Sequence, residues 1–199
     1  MSAHQTDVRQ HILDVAAPLL LRKGFTAVGL AEVLAAARVP KGSFYHYFGS
    51  KEAFGQAVLE DYFAGCHRRM GPLLDGDGTG AERVLAYFRD WLEQQTGEEG
   101  KSRCLAVKLG AEVCDLSEAM RATLERGTAG IVERLAGTIE AGKADGSLKT
   151  EADARGLALV LYQNWLGASL LAKISRDRAP LDAAMVTTRQ LLGLEQAIS

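Results

Sequence analysis

Apolar residues recur every three or four positions along almost the whole chain, the spacing of amphipathic helices. Between Asp7 and Lys23, Ile12, Leu13, Ala16, Leu19 and Leu20 keep that period, with Thr6 as N-cap and Gly24 as stop. Phe25 and Val28 fall in the connection that follows. Leu30 to Ala37 reads as a short helix with Leu30, Val33, Leu34 and Ala37 on one face. Arg38-Val39 is a tight turn, and Pro40 suits the first position of the next helix, KGSFYHYF, which ends near Gly49. Ser50 caps a longer helix with Phe54, Val58, Leu59, Tyr62, Phe63 and Cys66 facing inward, and Gly71-Pro72 is expected to close it. GDGTG at 76–80 is a strong break; lacking a following Gly-Lys-Ser/Thr and a flanking strand, it reads as a plain loop, not a phosphate cradle. Further helices are expected over 81–95, 102–114, 117–144 (Ser117 as cap), 151–175 and 180–192. No strand alternation appears. The expected fold is all-α with about nine helices: a three-helix unit over 1–50, then a larger bundle over 51–199, joined by the helix of 50–70.

On a helix, Phe44 and Phe48 of KGSFYHYF stand four apart and share one face, against Leu30, Val33 and Leu34. Ser43, His46 and Tyr47 fall on the other side and Tyr45 on the flank. A short helix, a turn and a second short helix with polar-tipped rings outward is the pattern of a helix-turn-helix whose second helix enters a major groove. The outward groups suit DNA. Lys41 offers a cation, Gly42 lets the backbone approach, and Ser43 can pair with a base edge. Tyr45, His46 and Tyr47 reach for phosphates, as do Thr26 and Lys51 near helix N-termini.

Charge adds to this picture. The chain of 199 residues carries a net charge of −2, yet residues 1–51 hold six Lys/Arg against three acids, a surplus of +3 that leaves −5 for the rest. That asymmetry points to an anionic partner for the N-terminal part. Other classes find little support. There is no Ser-His-Asp arrangement, no HExxH and no paired carboxylates, so no enzyme is expected, and neither is a cofactor. Cys66, Cys104 and Cys114 form no CxxC, so neither a metal site nor a disulfide framework is expected. No run reaches the ~18 apolar residues of a membrane span, and MSAHQTDVRQ does not resemble a signal peptide, so a cytoplasmic protein is expected.

The stretch FTAVGLAEVLAAARVPKGSFYHYFGSKEAF, Phe25 to Phe54, closely resembles the DNA-binding segment of TetR-family transcriptional regulators. The matching features are Thr26, the run Val39-Pro40-Lys41-Gly42-Ser43-Phe44-Tyr45-His46-Tyr47-Phe48, and Lys51. Gly29-Leu30 departs from the family, which often has a polar residue before the aliphatic one. The resemblance implies a homodimer that binds a double-stranded DNA operator and is released by a small-molecule effector. It assigns DNA contacts to Thr26, Lys41, Gly42, Ser43, Tyr45, His46, Tyr47 and Lys51. Two further stretches, CLAVKLGAEVCDLSEAMR and YQNWLGASLLAKISRD, resemble the subgroup that controls N-ethylmaleimide-reductase and glyoxalase genes and senses electrophiles through a cysteine at the position of Cys104.

The residues around Cys104 fit a reactive thiol. It lies at the start of a helix, and Lys101, Arg103 and Lys108 add positive charge, a setting that favours the thiolate. Cys114, late in the same helix beside Asp115, is in the opposite setting, and Cys66 faces the side of Val58 and Tyr62. Cys104 is equally readable as a small core hydrophobe beside Leu105. Tyr87, Phe88, Trp91, Tyr162 and Trp165 line either an effector pocket or an ordinary core. Lys173 either approaches the interior of the ligand domain or carries its head to solvent. Gly156, Gly167, Ala168 and Ser169, with a stripe of Leu181, Met185, Thr188, Leu191 and Leu192, are expected at the contact between subunits. A regulator with reversible, non-covalent effector binding, and a helical interaction bundle without DNA binding, stay open as alternatives.

Overall fold

The computed structural model describes residues 3–96 and 104–194, with side chains from residue 8 onward. The described residues form nine helices and no strand: α1 (Ala3–Lys23), α2 (Leu30–Ala37), α3 (Lys41–Phe48), α4 (Lys51–Leu74), α5 (Gly80–Thr96), α6 (Leu105–Leu116), α7 (Glu118–Ala144), α8 (Ala154–Ser175) and α9 (Ala179–Leu191).

Several ends differ from expectation. Helix α1 begins at Ala3, so Thr6 lies within it and not at its cap. Pro40 is the N-cap of α3 in extended conformation, not its first helical residue. Helix α4 runs through Gly71-Pro72 to Leu74, because a proline in the last turn removes one N–H donor but keeps a helical φ, and the Asp75 N–H still reaches the Gly71 carbonyl at 2.9 Å. Ser50 caps α4 as expected, its hydroxyl accepting from the Ala53 N–H at 3.0 Å. Asp153, not Glu151, starts α8; its carboxylate accepts the Gly156 N–H at 2.7 Å. Of the stretch TGEEGKS (96–102), which reads as a loop, Thr96 closes α5 and the rest lies outside the described residues.

The chain divides into two compact units, one of Met1–Gly65 with Arg103–Gly127, the other of Cys66–Ser102 with Thr128–Ser199. In the first, α1 packs on α2 and α6, and α2 on α3. Ile12, Leu13, Ala16 and Leu20 of α1, Val33 and Ala37 of α2 and Phe44 and Phe48 of α3 are all buried. Arg38, in the left-handed conformation (φ 55°), ends α2. The absence of a Cβ at Gly55 admits Met120 and the Phe25 ring, which an added Cβ would meet at 2.5 and 2.6 Å.

In the second unit α8 packs on α9. The first N–H groups of α5 are satisfied from the turn after α7: Gly80 by Asp145 at 2.8 Å and Ala81 by Ser147 at 3.0 Å. Arg134 of α7 donates to the His67 carbonyl at 2.8 Å and pairs with Asp75. Helix α8 has the length and composition of a membrane-spanning segment, although Arg155, Gln163 and Asn164 interrupt its apolar run. Leu157, Ala158, Leu161, Tyr162 and Trp165 of that helix are buried within the bundle.

Phe44 is fully buried and Tyr45 is 48% exposed. Phe44→Ala is therefore expected to cost about 3–5 kcal/mol, and Tyr45→Ala to stay within about 0.5 kcal/mol of the parent. Urea denaturation followed by circular dichroism checks both; equal losses would reverse the assignment of faces.

Candidate nucleic-acid interface and effector site

Helix α3 is held by rings. Phe44 lies 5.1 Å from Phe48 and 5.2 Å from Phe54, and Phe48 lies 5.1 Å from Phe54. With these inside, Lys41, Gly42, Tyr45 and His46 are exposed and Ser43 and Tyr47 half-buried. The roles of the tyrosines differ in detail from the sequence pattern: Tyr45 projects, while Tyr47 leans toward Phe48 (6.4 Å) and His46 (5.0 Å). The lysine heads rest over rings, Lys41 over Tyr45 at 5.9 Å and Lys51 over Phe25 at 5.0 Å. Thr26 is exposed in the turn between α1 and α2. All eight residues suggested for DNA contact thus belong to the first unit, on α3, the α1–α2 turn and the start of α4.

That turn is gripped from α6. Gly24 ends α1 with φ +92°, and the next two N–H groups, of Phe25 and Thr26, both donate to the Glu112 carboxylate, at 3.0 and 2.6 Å. Successive N–H groups after a positive-φ residue make a concave anion site, and here a side chain of the same chain fills it. Burial pushes the Glu112 carboxyl up. Hydrogen bonds from the Thr26 side chain and N–H and from the Phe25 N–H, with the charge of Lys108, outweigh this and leave it below the usual range. Sequence reasoning missed Glu112. Its partners, two backbone N–H groups and the Thr26 side chain, lie 86 and 87 residues away, and in sequence it looks like a surface acid one turn after Lys108.

Cys104 is buried and is the N-cap of α6, one residue before the first turn in which it was expected. Its sulfur accepts from the Val107 N–H at 3.5 Å and from the Tyr62 hydroxyl at 3.4 Å. Both donors favour the thiolate, and burial opposes it. Lys101 and Arg103 lie outside the described residues. Tyr62 was read only as an inward-facing ring of α4; nothing in sequence links it to a cysteine 42 residues on. Cys114 is exposed, and Cys66 is buried with the Arg69 guanidinium 3.4 Å from its sulfur.

In the second unit the five aromatic residues form one cluster. Trp165 is fully buried, stacked on Phe88 at 5.0 Å and 16°, with Trp91 5.9 Å away. Trp91 also meets Tyr162 at 5.7 Å and Tyr87 at 5.9 Å. The indole N–H groups are satisfied by Thr188 (2.9 Å, from Trp165) and Ser169 (3.0 Å, from Trp91). Ser169 and Thr188, expected between subunits, are therefore interior hydrogen-bond partners, and Leu181, Leu192 and Ala168 are likewise buried. Lys173 is exposed on α8, not directed to the interior of the ligand domain, because that face of the helix's last turns, with Leu170 and Ile174, is left outside.

Residues 12–58 match the model of the bacterial regulatory proteins of the tetR family, and residues 80–188 that of the tetracyclin repressor-like C-terminal domain. The chain belongs to the TetR family. It is 45% identical over 194 residues to the transcriptional repressor NemR of Escherichia coli K12, covering 96% of this chain and 98% of that one. It is 33% identical to the repressor DhaR of Mycobacterium sp. GP1, over 94% and 93% of the two chains. The crystal structure of reduced E. coli NemR superposes with a TM-score of 0.90 at 44% identity, covering 96% of this chain and all of that one. The protein is thus a DNA-binding transcriptional regulator with the all-α TetR architecture.

If the Tyr62 hydroxyl stabilises the Cys104 thiolate, Tyr62→Phe raises the thiol pKa and shifts the pH midpoint of its alkylation upward. Iodoacetamide rates across a pH series measure this, in a Cys114→Ser background because Cys114 is exposed. An unmoved midpoint would mean that the phenol does not support the thiolate.

Proposed function

We propose that this TetR-family regulator is a cytoplasmic repressor that works as a homodimer without a cofactor. Residues 1–50 bind a double-stranded DNA operator, and residues 51–199 hold a small-molecule effector and the second subunit. The observation that carries the DNA reading is the division of α3 into a buried Phe44–Phe48 side and an outer side bearing Lys41, Gly42, Tyr45 and His46. Lys41, Lys51 and Thr26 meet phosphates, while Ser43, Tyr45, His46 and Tyr47 meet base edges or sugar-phosphate across one major groove. Two such helices in a dimer address grooves about 34–36 Å apart. Exposed Leu170, Leu171 and Ile174 of α8 and Val186 of α9 supply the apolar surface for the second copy.

The effector is an electrophile sensed at Cys104. The two donors on its sulfur and the resemblance to NemR, whose structure was determined in a reduced form, support this reading. With N-ethylmaleimide, the thiolate electron pair forms a C–S bond to an alkene carbon, and the resulting enolate takes a proton from water. The adduct releases the operator only to the extent that it favours the released conformation. Effector binding without a covalent bond is the second reading, favoured by the aromatic cluster around Trp91.

Fluorescence anisotropy with an operator fragment recovered from genomic DNA tests both parts. Lys41→Ala is expected to weaken binding and to reduce the slope of log K against log salt by about one. Binding and slope equal to the parent's would refute the role of α3. N-ethylmaleimide should release the Cys114→Ser protein but not Cys104→Ser/Cys114→Ser. Equal release of both rules out Cys104 as the sensor and leaves the non-covalent reading.

A further inference from the structure

Helix α6 carries a chemically interesting group at each end. Cys104 caps its N-terminus, and Glu112, eight residues on, lies about 12 Å further along the axis at ~1.5 Å per residue. At the first end the sulfur is bound by the Val107 N–H and the Tyr62 hydroxyl. At the second the carboxylate takes two backbone N–H groups of the α1–α2 turn. A helix of this length moves as a rigid rod, so a displacement at one end reaches the other.

We propose that Glu112 is the positioning residue that sets the α1–α2 turn for operator binding, and that α6 lets chemistry at Cys104 act on that turn. The first half rests on the DNA-binding reading above, the second also on Cys104 as sensor.

Three features support this assignment. The grip is specific: two N–H groups converge on one carboxylate, and Gly24 leaves room for it, since an added Cβ would stand 3.0 Å from Glu112 Oε2. What it grips is part of the proposed DNA surface. Thr26 is one of the two residues held, and the ring of the other, Phe25, lies under the Lys51 ammonium at 5.0 Å. Only three residues separate Thr26 from α2, and the Lys23–Glu32 ion pair (2.6 Å) joins the end of α1 to α2, so the turn cannot shift without α2. Finally, an adduct at Cys104 disturbs its own end of the rod. The sulfur is buried, so any added group displaces its neighbours, and a thioether is a poorer acceptor than a thiolate for the Val107 and Tyr62 donors.

Glu112→Ala removes both acceptors, whereas Glu112→Gln keeps one carbonyl oxygen and loses the charge. Operator affinity of the full-length reduced protein, in the Cys114→Ser background, is expected to fall roughly 10- to 100-fold in Glu112→Ala and by less in Glu112→Gln. The slope of log K against log salt should stay unchanged in both, because no Lys or Arg that neutralises a phosphate is removed. Treatment with N-ethylmaleimide, which weakens binding by the parent, should add little further weakening to Glu112→Ala: the coupling between the two ends is lost. A general structural defect would lower the salt slope or abolish the cooperative thermal transition, and it would spare Glu112→Gln no more than Glu112→Ala. Operator affinity within twofold of the parent, together with the parent's full response to N-ethylmaleimide, overturns the proposal. A parent that binds no operator overturns the DNA reading itself. A parent that binds but ignores N-ethylmaleimide overturns the sensor reading and with it the second half of the proposal, while the affinity of Glu112→Ala still decides the first.

Discussion

Everything outward on α3 depends on the burial of two phenylalanines. A helix of eight residues has little stability of its own. Burying Phe44 and Phe48 contributes about 1.5–3 kcal/mol each, and the edge and tilted contacts with Phe54 add about 0.5–1.5 kcal/mol per pair. Because the two rings are four residues apart, their burial fixes the rotation of the helix about its axis. That rotation in turn decides that Lys41, Tyr45 and His46 face solvent. The same rings tie α3 to α4 through Phe54, so the two helices share one packing contact.

Polar groups do the second part of the work, by taking up backbone donors that helix ends and turns leave unsatisfied. Glu112 receives two N–H groups at the end of α1, Ser50 one at the start of α4, and Cys104 one at the start of α6. The first and the last are on the same helix. A charged acceptor holds backbone donors more firmly than a neutral one, and a sulfur holds them more weakly than an oxygen. Helix α6 is thus held by a carboxylate at the α1–α2 turn and by a sulfur at its own N-terminus.

The second unit is organised around Trp165. Its indole stacks on Phe88 and donates to Thr188, and Trp91 donates to Ser169, so the cluster is apolar in its faces and satisfied at its polar edges. This takes up one side of α8 and leaves Leu170, Leu171 and Ile174 on the other. Helix α8 is thus apolar on two sides, of which its own bundle covers one.

Helix periodicity, cap residues and the KGSFYHYF pattern were enough to read the all-α class, the number of helices among the described residues and the inward face of α3. Each of these is a local property, written within one or two turns of chain. The limits of α4 and α8 were read less well, because a proline in a last turn and an aspartate cap compete with stronger-looking stop and start signals at Gly71 and Glu151. The interior roles of Ser169 and Thr188, the outward position of Lys173, the Tyr62–Cys104 contact and the grip of Glu112 on the α1–α2 turn were decided only by tertiary structure. Each depends on which residues, tens of positions apart, the packing of helices brings within hydrogen-bond reach. No periodicity along a single chain encodes the partner of a carboxylate whose acceptors meet backbone N–H groups, since every residue but proline carries the same donor.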